Sequence, residues 1–226
     1  MVSNLNFLLV GNSRLHWAKK IKNRYKFFHT KKHHRIPKAF DLNKLIWASV
    51  GDSSNLLLNT KNEIKTTDIN LSNLPDHFGV DRALACLAAI KTIDNPLKKD
   101  FLIVDCGTIL SLTKVTAKGK IIGGQLVPGF LTQLKSIAQF TKNLKAPKKY
   151  KIPAQEFLLD TEDAILKGVL NSLIGMINLS FNPENDLLIM CGGDSKLISN
   201  FLGKNNKKVI NAPDLVMQGM ISHFKN

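Results

Sequence analysis

Three short apolar runs that each stop on glycine constrain the fold more than any other feature of this sequence. They are "NFLLVGNS" from Asn6 to Ser13, "FLIVDCGT" from Phe101 to Thr108, and "LLIMCGGD" from Leu187 to Asp194. Apolar runs of this length bounded by glycine read as buried strands, being too short for the helices of a globular core. After the first run come "RLHWAKK" and "RYKFFHT", and after the second comes "ILSLTKVTAKGKIIGGQLVPG", in which a turn near Lys118-Gly119 joins two alternating segments. Both continuations read as antiparallel meanders. The chain therefore repeats one order: strand, glycine turn, antiparallel strands, then helices. That order predicts two similar α/β lobes, residues 1–99 and 100–226, with the boundary near Lys98-Asp100. It also excludes an all-parallel sheet.

Helical periodicity appears in "VDRALACLAAIKTI", where Val80, Ala83, Leu84, Leu87 and Ala88 share a face. It returns in "LTQLKSIAQFTKNL", "DTEDAILKGVLNSLIGMINL" and "APDLVMQGMISHF". The third of these has a start signal: Asp160 or Thr161 can cap it, and Glu162 and Asp163 suit its positive end.

Composition narrows the function classes. Of 226 residues, 44% are hydrophobic and 22% charged, which excludes disordered and fibrous chains. No apolar run approaches the roughly 20 residues a membrane helix needs, and no charged leader with a long apolar core opens the chain. The expectation is a soluble, cytoplasmic protein. Cys86, Cys106 and Cys191 are an odd set without C-x-x-C spacing, so they read as buried free thiols, in keeping with a reducing compartment. The formal charge of +15 favours anionic partners of some kind. Much of it lies in Lys19 to Arg35 and Lys142 to Lys151. The first stretch, with Tyr25, Phe27 and Phe28 among its bases, reads as a strand pair with core-facing aromatics in preference to a nucleic-acid stripe. His33 and His34 are adjacent, so on an extended chain they point to opposite faces and make a poor metal pair.

The glycine turns carry the chemistry. Gly11 lets backbone approach a ligand closely, and Gly11-Asn12-Ser13 offers N–H groups and a hydroxyl of the kind phosphate oxygens accept from, although Gly-Asn after a strand is also an ordinary chain reversal. Asp105-Cys106-Gly107-Thr108 adds a carboxylate suited to a cation and a hydroxyl suited to phosphate. Gly192-Gly193 can lie flat against a nucleotide. Asp81 and Arg82 open a helix, either as charges that suit its dipole or as a base and a cationic clamp.

Taken in order, "VGNSRLHWA", "GVDRALACLAA", "VDCGTILSL", "GGQLVPGF", "DTEDAILKGVL" and "IMCGGD" resemble the type III pantothenate kinases, of the acetate and sugar kinase/heat-shock 70/actin superfamily. The resemblance implies two ribonuclease-H-like, actin-like lobes, each a mixed sheet with flanking helices. It implies transfer of the ATP γ-phosphoryl group to the 4′-hydroxyl of pantothenate, the first step of coenzyme A biosynthesis, by a homodimer whose pantothenate site lies at the interface. Magnesium would accompany ATP, and a monovalent cation, potassium or ammonium, would sit at Asp105. Asp81 would be the general base. Leu9, Val10, Gly11, Asn12, Ser13, Arg14, Leu15 and His16, with Thr108, Gly192 and Gly193, would line the ATP site. Gly79, Val80, Asp81, Arg82 and Thr161 would meet pantothenate.

Two positions depart from the family pattern: Leu9 stands where an aspartate is usual, and Ser72, ahead of Pro75, where a tyrosine is usual. The alternatives are another small-molecule kinase of the superfamily, or a catalytically weak relative acting as a regulatory or nucleic-acid-binding protein. Neither a membrane nor nucleic acid is an expected partner.

Overall fold

The computed structural model describes residues 5–32, 40–41, 43–56, 58–202 and 209–224. His33 and His34 lie outside them. The chain forms two compact units. The first holds Met1–Lys98, Val115–Ile122 and Asp214–Asn226; the second holds Lys99–Lys114 and Gly123–Pro213. Lys98 ends the first segment of the first unit. The two later segments that return to the first unit differ from a simple division into 1–99 and 100–226.

In the first unit, β1 (Asn6–Val10), β2 (Arg14–Ile21), β3 (Arg24–Lys31) and β4 (Leu45–Ser49) form a sheet in the order β3-β2-β1-β4. β2 and β3 are the antiparallel hairpin expected of the basic stretch, turned at Lys22 with φ 54°. β4 runs parallel to β1, pairing Phe7 with Ile46 and Val10 with Ser49. Because β1 is covered on both sides, its side chains divide between two cores by the period of two. Phe7 and Leu9 join Ile46 and Ala48 on one face, while Leu8 and Val10 join Leu15, Trp17 and Trp47 on the other. Tyr25 and Phe27 pack against the first group and Phe28 against the second, so the aromatics of the basic hairpin are half-buried and turned toward the two cores.

The face carrying Leu9 is covered by α1 (Val80–Thr92) and α5 (Leu215–His223). α1 is rich in alanine, which favours helix and leaves little side-chain bulk between helices. At Gly219 the two helices come so close that a Cβ would run into the Leu84 carbonyl oxygen. This contact is why the last segment of the chain belongs to the first unit.

The second unit repeats the plan. β5 (Asp100–Cys106), β6 (Ile109–Val115), β7 (Ile121–Pro128), β8 (Asp186–Cys191) and β9 (Val209–Asn211) form a sheet in the order β7-β6-β5-β8-β9. β8 is parallel to β5, as β4 is to β1. The β6–β7 turn, within the Val115–Ile122 segment of the first unit, closes at Thr116, whose N–H donates to the Lys120 carbonyl, with Gly119 at φ 83°. α2 (Phe130–Phe140), α3 (Thr161–Ser180) and the short α4 (Ser195–Ser199) complete the unit. Leu134, Leu166, Leu170, Leu173 and Ile198 from these helices pack with Leu102, Val104, Leu188 and Met190 of the strands. Among the described residues, no helix is long and apolar enough to cross a membrane.

Candidate active site

Gly11 ends β1. Its N–H donates to the Arg14 carbonyl at 3.0 Å, closing a tight turn over Asn12 and Ser13, which are exposed together with Arg14. A Cβ at Gly11 would lie 2.9 Å from that carbonyl and 3.2 Å from His16 Nε2, so only glycine fits the turn without displacing its neighbours. Beside it, the Val50 and Gly51 N–H groups both donate to the Val10 carbonyl, at 3.0 and 3.2 Å, bringing the end of β4 against the turn. Lys32 Nζ lies 2.9 Å from where a Gly51 Cβ would stand, which puts an ammonium at the same place. Exposed donors, a close backbone and a lysine are chemistry that suits an anion. Leu9, Val10 and Leu15 contribute backbone only, since their side chains are in the two cores.

Gly79 is the N-cap of α1, and Asp81 stands in the first turn. Asp81 Oδ1 accepts from the Arg82 N–H at 2.7 Å. Burial pushes the Asp81 carboxyl up from its usual value, against the downward pull of helix N–H groups and the Arg82 charge. A carboxylate so raised is a better proton acceptor near neutral pH than an exposed one. Arg82 is held by the Phe78 ring, its guanidinium carbon 4.0 Å from the ring centre, and the Phe78 carbonyl is fixed by the Thr66 hydroxyl at 2.7 Å. Val80 packs in the same core as Leu9.

In the second unit, Asp105 and Gly192 meet: at φ 83° a Gly192 Cβ would run into Asp105 Oδ1 and lie 2.7 Å from the Cys106 carbonyl oxygen. The Asp194 N–H donates to that carbonyl at 3.0 Å, which brings the turn holding Gly193 against the end of β5. Burial first, then the charges of Asp105 and Asp194, push the Cys106 thiol up, so this corner combines negative charge with oxygen donors. Such a set of oxygens suits a hard cation. Among the described residues, no group of three or more His, Cys, Asp or Glu side chains is placed to hold a metal ion. The Thr108 carbonyl accepts from Gly129 N–H at 2.9 Å and from the Thr132 hydroxyl at 2.7 Å, fixing its turn against the start of α2. Thr161 is exposed at the first position of α3, which Asp160 caps through the Asp163 N–H.

A sequence model described as "Type III pantothenate kinase" matches residues 40–182, more than half of the chain. The chain belongs to the type III pantothenate kinase family. Among relatives, it is 29% identical to the type III pantothenate kinase of Synechocystis over 94% of this chain and 87% of that one. To the Acinetobacter baumannii kinase it is 31% identical over 67% of this chain and 59% of that one. Solved structures of low identity support the actin-like fold alone. A conserved Campylobacter jejuni protein, described as a Baf family transcriptional activator, superposes with TM-score 0.68 at 19% identity, covering 97% of each chain. The archaeal actin homologue Ta0583 superposes with TM-score 0.53 at 13% identity, covering 97% of this chain and 98% of that one.

Of the two departures from the pantothenate kinase pattern, the first has a local explanation and nothing in the structure explains the second. Leu9 is 5% exposed in an apolar core, a place that would penalise an unpaired carboxylate. Ser72 uses its backbone to pair with Gly119 and Ile121 at 3.0 and 2.9 Å. Sequence reasoning missed Gly51 and Lys32. A signal for Gly51 was present, because "GDS" follows β4 at Gly51-Asp52-Ser53 and β8 at Gly193-Asp194-Ser195. Nothing local marks Lys32 among many lysines.

Proposed function

We infer that this chain transfers the γ-phosphoryl group of ATP to the 4′-hydroxyl of pantothenate. Membership of the family carries the reading, and the enclosed, raised Asp81 carboxylate at the start of α1 supports it chemically. Phosphoryl transfer needs alignment and charge neutralisation more than covalent chemistry. In this reading Asp81 takes the proton of the attacking hydroxyl while Gly79, Val80, Arg82 and Thr161 line the pantothenate site. The Gly11–Ser13 turn, with Arg14, His16 and Lys32, receives the phosphates, and Thr108, Gly192 and Gly193 face the nucleotide. Asp105 holds a monovalent cation, which would neutralise phosphate charge, and magnesium accompanies ATP. The reaction belongs in the cytoplasm, in keeping with three buried free thiols, of which burial pushes Cys86 up to about 12. Exposed Phe140, Phe157, Leu159 and Leu179 support assembly as a dimer.

Release of ADP is expected to depend on pantothenate and to be faster in potassium than in sodium salts. Turnover indifferent to pantothenate would reject the assignment. Asp105→Asn is expected to abolish the difference between the two salts and raise the KM for ATP about tenfold or more; retained potassium stimulation would remove Asp105 from the cation site. Gly79→Ala is expected to lower kcat about 100-fold with Tm nearly unchanged. The added Cβ would lie 2.7 Å from Asp81 Oδ1, so the movable carboxylate shifts and the fold does not. Steady-state kinetics and thermal melting on the same sample check both halves.

A further inference from the structure

His16, His29 and Asp214 form a chain of titratable groups leading to the Gly11 turn. Register puts Leu9, His16 and His29 in one row across β1, β2 and β3. The two rings meet edge to face, centroids 4.7 Å apart, with Nδ1 facing Nδ1 at 2.9 Å. His29 Nε2 lies 3.7 Å from Asp214 Oδ1, just ahead of α5. At the other end, His16 Nε2 faces Gly11, 3.2 Å from the place of a Cβ.

Two nitrogens facing each other at hydrogen-bond distance share one proton, and its owner decides the tautomer of His16. The Asp214 carboxylate favours a proton on His29 Nε2. While His29 is neutral, its Nδ1 is then bare and accepts from His16 Nδ1–H, which leaves His16 Nε2 as a lone pair turned toward the Gly11 turn. When His29 gains a proton, the one between the rings passes to His29 Nδ1 and a solvent proton enters at His16 Nε2. One proton is taken up, and His16 becomes a neutral donor.

We propose that His29 is a positioning residue for nucleotide binding: its protonation fixes His16 as the Nε2–H tautomer, which donates to a phosphate oxygen at the Gly11–Ser13 turn. This rests on the reading of that turn as the nucleotide phosphate site. Burial, then the charges of His29 and Arg14, hold His16 down to about 4, so it stays neutral at pH 7. Burial pushes Asp214 up while the nearby His29 pulls it down, the coupling that a relay requires. Among the described residues, the titratable groups that meet His29 are His16 from β2 and Asp214 from the segment before α5, and β3 is the edge of its sheet. Because a phosphate repels a lone pair and attracts an N–H, nucleotide binding and proton uptake at His29 are coupled.

The test is calorimetric titration of the full chain with magnesium ADP in two buffers of different ionisation heat, for wild type and His29→Gln. Wild type is expected to take up more protons than the variant and to bind about tenfold more weakly at pH 8.5 than at pH 5.5 relative to it, since the ligand's own titration is common to both. Ring nitrogen NMR of wild type is expected to show His16 carrying its proton on Nε2 with nucleotide bound, a readout independent of how the variant folds. Nucleotide binding with equal proton uptake in both proteins, or His16 protonated on Nδ1 in the complex, would overturn the proposal alone. Wild type that binds no nucleotide would overturn the reading of the turn and the proposal with it.

Discussion

Asp81→Asn is expected to lower kcat by about 100- to 10,000-fold, leave nucleotide affinity unchanged, and raise Tm. The amide keeps the shape and the oxygen that accepts from Arg82 N–H, so the start of α1 is preserved. It cannot accept the hydroxyl proton. The stability gain follows from the same burial that makes the carboxylate useful. Burial raises the native carboxyl above its unfolded value, so the native state binds the proton more tightly than the unfolded chain. Stability is therefore lost as pH rises from the unfolded value through the native one, and at neutral pH the ionised group is a cost. Asparagine never ionises and escapes it, at about 2–4 °C in Tm for each kcal/mol relieved in a chain of this size. Parallel melts at pH 7 and below pH 4 check the sign: the variant's advantage should shrink in acid. A variant that melts lower at pH 7 would contradict the account of Asp81 as an enclosed, destabilised base.

The second large effect is structural. Gly219→Ala is expected to destabilise the first unit by about 2–3 kcal/mol, lowering Tm by roughly 4–12 °C. The added Cβ meets the Leu84 backbone, which cannot rotate away, so α1 and α5 must part. α1 carries Asp81, and Leu84 packs in the same core as Met217, Met220 and Ile221. Weaker packing should therefore lower activity as well as stability. Denaturant unfolding of the variant measures the loss, and a change below about 0.5 kcal/mol would mean that the helices have room at this crossing.

The apolar runs ending on glycine and the alanine-rich stretch at Val80 were legible because each carries its own periodicity or boundary. β4 was not, although it has the same fully buried character. "LIWAS" mixes tryptophan, alanine and serine, and its glycine comes two residues after the strand ends. The return of α5 to the first unit was also hidden, since only the packed structure reveals Gly219 against Leu84. At the site, Gly11, Asp81, Asp105 and Gly192 stood out as residue types with chemistry at the ends of elements. Lys32 did not, because it follows β3 and meets Gly51 only through the pairing of β1 with both β2 and β4. Nor did the approach of Asp214 to His29, which joins residues at opposite ends of the chain. Long-range pairings of this kind have no local pattern to read.

The most direct test of the central claim is to incubate the protein with γ-labelled ATP and pantothenate and follow the label by mass spectrometry. The account predicts label on the 4′-oxygen of pantothenate with wild type, and a loss of that product with Asp81→Asn. Label released only as inorganic phosphate, or transfer undiminished in the variant, would contradict it.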